Sequence, residues 1–460
     1  MNEEQIEIKR AELLECLENR DWGKTGRLFE ELPPQDIAMV LSGIPEKQLP
    51  VAFRLLKKET AAEVFVEMLP EDKELLINSF SDAELKSVFD EMFIDDAVDV
   101  IEEMPANVVK RIINQADADT RKLVNEILRY PEDSAGTVMT VEYVSLKKDW
   151  TVKECFDRIR REAVDSETVY TCYVTDASRK LIGCVGIRTL LMNSYETVLE
   201  DIMETNVISV ETHTDREEVA AIISKYDLSA VPVVDKDGRL VGIITVDDVI
   251  DVIKKETDED IAKMAAVTPA DRPYLSQGVF TIWKNRIPWL LIMMVSATFT
   301  GLIINTYEAT LNALSTLLFA CVPMLMDTGG NAGSQASVTI IRSLAVNEVK
   351  PSDVLRVVWK ELRVSMMLGV CVSLACFCKL QLIDRLLFGY DYTVLLSAVV
   401  AISMFITIVI AKAVGGTLPL LAKKIGLDPA VVASPFITTI VDALSLILFC
   451  NIAVAVLSNA

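Results

Sequence analysis

The residues that could do chemistry are concentrated where chemistry is least expected. The stretch Pro323-Met-Leu-Met-Asp327-Thr-Gly329-Gly330-Asn331-Ala-Gly333-Ser-Gln335 continues an apolar run that begins at Leu311. It carries a carboxylate, two amides, three glycines and a proline. Lipid neither hydrates a carboxylate nor hydrogen-bonds exposed backbone, so such a segment must face protein or water. A second carboxylate, Asp442, lies in the apolar run Ala430–Leu457, flanked by Thr438, Thr439 and Ser445. If that run enters a bilayer near Val431, eleven residues at ~1.5 Å each place Asp442 ~16 Å deep, near the centre of a ~30 Å hydrocarbon core. A carboxylate there costs ~2.5–3.5 kcal/mol even on the lenient insertion scale, so it is expected on a wet path. Across a two-fold axis two copies would form a ring of negative charge. That ring suits a small divalent cation that keeps its waters, as Mg²⁺ does. The plainer readings are a structural Asp capping a broken helix, and glycines that serve helix packing alone. Asn331 and Gln335 share a helical face and could hold water at the mouth, and Pro435 could free carbonyls toward the path.

Five apolar segments reach spanning length, at about 287–307, 313–344, 357–380, 393–422 and 430–457. Basic loops alternate sides, which places the N-terminus inside and the C-terminus outside. Lys284 and Arg286 precede the first span, and the loop at 306–312 has no Lys or Arg. Arg342, Lys350, Arg356, Lys360 and Arg363 follow the second span, and Lys423 and Lys424 follow the fourth. Five spans make a complete pore from one chain improbable, and a homodimer with the path on its axis fits better.

The rest of the chain is soluble in character. Total charge is −22 over 460 residues, but residues 281–460 hold twelve Lys and Arg against nine Asp and Glu, leaving −25 on the first 280. Such a half repels nucleic acid and anionic lipid and suits cations; an ordinary acidic soluble domain is the alternative. Nine scattered cysteines form no metal or disulfide pattern, and a single histidine, His213, argues against a zinc site. The acidic start shows no signal peptide, so the N-terminus is expected in the cytoplasm.

From about residue 31 to 127 a unit of near twelve residues recurs. Its starts are Pro33-Pro34, Pro45-Glu46, Lys58-Glu59, Pro70-Glu71-Asp72, Ser81-Asp82, Ile94-Asp95-Asp96, Pro105-Ala106 and Asp117-Ala118-Asp119. Pro, Ser and acidic residues are the chemistry of helix N-termini, so an all-α helical-repeat domain is expected. From Gly136 to Glu256 a strand–helix–strand–turn–strand–helix pattern runs twice and resembles a tandem pair of α/β CBS domains. The second copy has Gly242-Ile-Ile-Thr245-Val-Asp247-Asp248, similar to the segment with which such modules hold a nucleotide ribose and phosphate. The first copy, Gly183-Cys-Val-Gly186-Ile-Arg188-Thr189, lacks the Asp, although Tyr170 and Arg188 could stack a base or meet a phosphate. A purely structural, dimerising pair is the alternative. Asp248 and Asp251 lead into an acidic helix on which Glu256, Glu259 and Asp260 share a face. Carboxylates crowded this way invite a hard divalent ion, unless they are simply a solvated linker. A helix at 274–283 then carries the chain into the membrane.

In this order of parts, and in the 323–335 stretch with its lone partner Asp442, the chain resembles the MgtE family of magnesium transporters over nearly its full length. The resemblance implies a multidomain membrane protein divided as 1–135 helical-repeat domain, 136–256 CBS pair, 257–284 connecting helix and 285–460 five-helix α transmembrane domain. It implies a homodimeric, Mg²⁺-selective channel of the cell membrane with cytoplasmic N-terminal and CBS domains, closed when those domains bind Mg²⁺. By that resemblance Asp442 selects the ion, and Asp327, Asn331, Gln335, Thr438 and Thr439 line the path. Asp95, Asp96, Asp99, Asp215, Glu217, Asp227, Asp248, Asp251, Glu256, Glu259, Asp260 and Asp428 become metal-binding candidates. ATP on the CBS pair, through Tyr170, Arg188, Thr245 and Asp247, is a further family trait. A CBS-regulated carrier of another solute, such as an anion, is opposed by the expected absence of basic residues at mid-membrane. A membrane-tethered sensor without transport would make Asp442 dispensable. An enzyme is the weakest reading, because no nucleophile–base pair or metal-ligand cluster is visible.

Overall fold

The structure is a computed structural model that describes every residue except 117, 164, 165, 271–273, 276, 433 and 458–460, with the side chains of 106, 107, 118, 119 and 434 also undescribed. It forms two compact units, Met1–Lys254 and Lys255–Ala460.

The first unit begins with a run of short helices from Glu3–Glu18 to Ala118–Ile127. Their starts follow local N-terminal chemistry. Pro34 and Pro70 sit in the first turn of Pro34–Leu41 and Pro70–Ser79, where no backbone N–H is needed. Ser81 and Glu84 close a reciprocal capping box on Asp82–Phe89. The unit expected at Pro45-Glu46 starts its helix later, at Leu49–Phe53, and the expected start at Asp117 lies outside the described residues. Helices too short to bury a face alone pack against the next but one: Pro34–Leu41 on Lys58–Val66, Lys58–Val66 on Asp82–Phe89, and Asp82–Phe89 on Ala106–Gln115. One apolar core, from Leu13 to Ile127, runs through them. Its spine includes Phe53, Phe65, Phe80 and Phe89, with neighbouring ring centroids 5.5–6.4 Å apart.

The same unit continues into two three-stranded sheets of identical topology. In the first, β1 (Tyr143–Lys147) pairs parallel with β2 (Thr168–Thr175), which pairs antiparallel with β3 (Leu181–Gly186). In the second, β4 (Val210–Glu211), β5 (Ala230–Val234) and β6 (Leu240–Thr245) repeat that order. The copies are tied by backbone bonds, Leu181 N to Gly238 O at 3.1 Å and Leu240 N to Arg179 O at 3.0 Å. After β6 the chain enters the helix Val246–Met264.

The second unit is built on five long helices. Among the described residues four segments are long and apolar enough to cross a membrane: Val279–Leu314, Pro351–Leu387, Val394–Lys424 and Pro429–Leu457. The other, Thr316–Ala345, has 30 residues, but Asp327, Thr328, Asn331, Ser334 and the glycines dilute its apolarity. The loop expected at 306–312 is helical; the break falls at Ser315, in extended backbone. The helix expected from Tyr274 starts at Val279, beyond undescribed residue 276, and is the beginning of the first long helix. Pro351–Leu387 ends in a wide, π-helical stretch, Lys379–Leu387, in which the Lys379 ammonium reaches Asp384, five residues on, at 2.7 Å.

Val394–Lys424 is the central helix and touches Thr316–Ala345, Val354–Cys378 and Ser434–Leu457. Glycine lets backbones approach at its crossing with Thr316–Ala345. A Cβ on Gly333 would lie 3.0 Å from Ile437 Cγ2 and 3.2 Å from the Ala411 carbonyl oxygen, and one on Gly415 would run into the Gly333 carbonyl. Exchange of Gly415 for Ala should therefore lower stability by about 1–3 kcal/mol through overpacking. Gly301 has nothing within 4 Å of an added methyl, so Gly301→Ala should leave stability level or raise it by up to ~1 kcal/mol. Thermal unfolding of the purified protein in detergent compares the two, and a Gly415→Ala protein as stable as the parent contradicts the packing argument.

Candidate functional site

A cavity of ≈ 530 Å³ opens among the first, second and fifth long helices. Asp327, Gly330 and Asn331 come to it from the second helix, and Thr438 and Asp442 from the fifth. Ile304, Phe319, Val322, Pro323 and Met326 supply an apolar wall. The periodicity explains the grouping. Asp327, Gly330 and Asn331 share a face at i, i+3 and i+4, as Thr438 and Asp442 do at i and i+4. Gly330 keeps the helices close, since a Cβ there would lie 3.2 Å from Thr438 Cγ2. Two carboxylates, an amide and a hydroxyl thus line one open pocket on an apolar bundle, Asp327 and Asn331 exposed and Asp442 half-buried, the donor set of a hydrated cation rather than of an anion.

Not every expected lining residue reaches it. Thr439 and Gln335 do not line the cavity. The hydroxyls of Thr438 and Thr439 both donate to the Pro435 carbonyl, at 2.9 and 3.0 Å, so that oxygen is spoken for. Gln335 is exposed.

The expectation of no basic residue at mid-membrane fails at Lys412. This lysine lies 18 residues into Val394–Lys424, is 6 % exposed, and faces the Glu361 carboxylate at 3.9 Å.

In the soluble unit the structure gathers Asp95, Asp96, Asp99 and Asp248 within electrostatic reach of one another. Burial, then Asp248 and Asp96, push Asp95 well above the usual carboxylate range. Burial, then Asp248 and Asp99, raise Asp96 to about 7. Asp248 is raised to about 6 by burial, against the pull of its hydrogen bond from Thr245. Glu167 joins the group, raised to about 7 by burial and then by Asp248 and Asp247, and its Oε2 is buried without a hydrogen-bond partner. Glu142 and Glu67 also contribute repulsion. Spacing could not reveal Glu142 and Glu167, which are brought side by side by the parallel pairing of β1 and β2, with Glu167 N on Glu142 O at 2.8 Å. Lys73, buried and bonded to Glu103 at 2.9 Å, is the cation that lowers Asp96.

Other candidates lie elsewhere. Asp215 caps Arg216–Tyr226 by accepting from Glu217 N at 2.8 Å, and Asp227 ends that helix in the left-handed conformation, φ 51°. Asp251 pairs with Lys254 at 2.7 Å. In the second unit Glu256, Glu259, Asp260 and Asp428 form another group, and burial followed by Asp428 raises Asp260. Lys263 bridges Glu259 at 2.5 Å and Asp428 at 2.7 Å. Among the described residues no three carboxylates converge closely enough to chelate one ion. Of the nucleotide candidates, Thr245 has its Oγ1 bonded to Asp248 at 2.5 Å, while Tyr170, Arg188 and Asp247 are exposed. A cleft of ≈ 160 Å³ lies instead against Leu181, Ile182, Thr205, Val207, Ser209, Val234 and Gly238.

Comparison with known proteins follows the same division of the chain. A divalent cation transporter family model, MgtE, matches residues 322–452, the MgtE intracellular N domain model matches 32–133, and CBS domain models match 135–196 and 199–255. The magnesium transporter MgtE of Thermus thermophilus is 35% identical over 445 residues, 96% of this chain and 97% of that one. The magnesium transporter MgtE of Bacillus subtilis is 32% identical over 428 residues, 93% of each chain. A solved cytosolic domain of the Mg²⁺ channel MgtE in complex with ATP is similar at a TM-score of 0.51 and 36% identity, covering 53% of this chain and 99% of that one.

The raised carboxylates give a pH signature. Asp96, Glu167 and Asp248 hold protons in the folded state up to about pH 6–7, whereas the unfolded chain releases them near pH 4. The folded state therefore binds more protons in that window, and its stability falls as pH rises through it. Without divalent cations, the midpoint of thermal unfolding should drop between about pH 5 and about pH 7.5; saturating Mg²⁺ should flatten the slope by replacing the protons. A midpoint that climbs with pH in chelator contradicts this.

Proposed function

We propose, for a chain that belongs to the MgtE family of magnesium transporters, a Mg²⁺-selective channel whose path runs past Asp442. The family transports and does not catalyse, so the question is how this chain passes and restrains its ion. The observation that carries the reading is the open cavity on the apolar bundle that Asp442, Asp327, Asn331 and Thr438 line together. Mg²⁺ gives up its waters reluctantly, and a pocket with carboxylates and few other donors accepts it with much of its shell in place. On this reading Thr316–Ala345 is the fifth span, its polar stretch turned to the path rather than to lipid.

The path is proposed to lie on the axis of a homodimer, because one copy offers only one Asp442 and an odd number of spans. The soluble domains are placed in the cytoplasm by the basic loops that flank the spans. The division at 1–135, 136–256, 257–284 and 285–460 is supported by family matches that end at 133 and 255.

Gating follows from the two acidic groups. Around Asp95, Asp96, Asp99 and Asp248, and around Glu256, Glu259, Asp260 and Asp428, repulsion opposes compaction until a divalent ion relieves it. Binding of cytoplasmic Mg²⁺ to these groups closes the path, since a ligand shifts a gate by its differential affinity for the two states. Asp215, Glu217, Asp227 and Asp251 are the outlying members of that sensor. ATP on the CBS pair would tune it, a role supported by the ATP-bound relative.

Two measurements test the reading. Reconstituted in liposomes, Asp442→Ala should lose Mg²⁺ entry at least about tenfold while purifying like the parent; equal flux in both removes Asp442 from the path. Asp248→Asn with Asp251→Asn should keep the flux but lose its inhibition by Mg²⁺ on the side of the soluble domains. Undiminished inhibition in that double variant sinks the gating assignment.

A further inference from the structure

The pair Lys412 and Glu361 has no place in the function argued so far. Lys412 sits on the central helix with its side chain 7% exposed, and Glu361 sits on Val354–Cys378 at 12%. Their charged atoms are 3.9 Å apart, beyond hydrogen-bond range, and Glu361 Oε2 is buried without a hydrogen-bond partner. Gly416, one turn beyond Lys412, makes the room: a Cβ there would lie 3.2 Å from Glu361 Cγ. The ends of Val394–Lys424 are ~27 Å and ~18 Å from Lys412 along the helix, so its stem cannot carry the ammonium to either.

Lys412 faces Glu361 and does not line the cavity, but its helix packs on two of the helices that do. Its neighbour Ala411 packs with Ile437 and Val441, the latter adjacent to Asp442. The Ala411 carbonyl faces Gly333, one turn from the cavity-lining Gly330. A charge buried in a low-dielectric bundle acts beyond contact distance, because water and salt screen it less than at a surface. A bare lysine here would repel a divalent ion twice as strongly as a monovalent one.

We propose that Glu361 is the built-in counter-charge that hides the Lys412 ammonium from the ion path, and so keeps a lysine-containing membrane core permissive to divalent cations. The proposal rests on the reading that the path follows Asp442. It assigns unequal roles to two partners that a merely structural clamp would treat alike. Loss of the carboxylate leaves an uncovered positive charge; loss of the ammonium leaves a carboxylate that attracts cations or takes up a proton. Glu361 is thus a positioning residue for charge, not a residue that touches the ion.

The test uses the full chain in liposomes, with Glu361→Gln, Lys412→Gln, the double variant and Asp442→Ala measured side by side. Each protein is also checked by gel filtration and thermal unfolding. Mg²⁺ entry should fall at least about tenfold in Glu361→Gln, stay within about twofold of the parent in Lys412→Gln, and return in the double variant. Recovery in the double variant is the decisive readout, because restoring neutrality does not restore a salt bridge. The proposal is overturned if Glu361→Gln conducts normally, if the double variant is as inactive as Glu361→Gln, or if both single variants lose flux in step with thermal stability. Normal flux in Asp442→Ala removes the path reading instead, while the order of the other three still judges the counter-charge.

Discussion

A carboxylate taken out of water must find a cation, a hydrogen-bond donor or a proton, and the architecture of this chain is organised by that demand. The soluble unit sets Asp95, Asp96, Glu167 and Asp248 near one another with only Lys73 as an opposing charge among their named influences. The result is a folded state that holds protons at pH values where free carboxylates have lost them. The membrane unit places Asp327 and Asp442 on one cavity with an amide and a hydroxyl. In both places carboxylates outnumber the cations beside them, which on the proposed reading leaves a role for an ion that arrives from solution.

The scaffold that makes this possible is glycine-mediated helix contact. Hydrophobic burial cannot drive association among helices that lipid solvates equally well, so close backbone packing must do so. Gly329 meets Thr407 and Ser445, Gly333 meets Ala411 and Ile437, and Gly415 meets Gly333. These contacts hold the second and fifth helices against the central one, and thereby fix Asp327 and Asn331 beside Asp442. The residues that dilute the apolarity of Thr316–Ala345 are thus those that pack it and line its cavity.

Legibility in the sequence followed the range of the forces. Helix starts at Pro34, Pro70 and Ser81, and the two CBS copies, were readable because caps, prolines and alternation act within a few residues. Asp327, Asn331, Thr438 and Asp442 were readable because a polar residue in an apolar run is conspicuous. Glu142 and Glu167 were not, since only parallel strand pairing joins them. The loop expected at 306–312 was misread because polar residues such as Asn305 and Glu308 are tolerated in a helix where nothing forces it to stop. Lys412 was passed over because its partner, Glu361, lies on another helix, and an ion pair across helices leaves no mark in either segment.

Three lysines, at 73, 263 and 412, suggest how the protein separates carboxylates meant for ions from those that are not. Each is partly or fully withdrawn from water and faces a carboxylate on another helix or loop: Glu103, Asp428 and Glu361. An ammonium tethered to the chain is always present, so it neutralises without responding to concentration. Mg²⁺ neutralises only when it is plentiful. At the proposed sensor carboxylates Asp428 and Glu259, which Lys263 bridges, a divalent ion would first have to displace the lysine. The proposed sensor therefore acquires a threshold: the tethered cation subtracts its own binding from that of the ion, and occupancy begins only at higher Mg²⁺. Among the described residues no lysine pairs with the cavity carboxylates Asp327 and Asp442, so on the proposed reading they would engage the ion at lower concentration. The proposed channel, admitting Mg²⁺ when it is scarce and closing when it is abundant, would need that order of affinities.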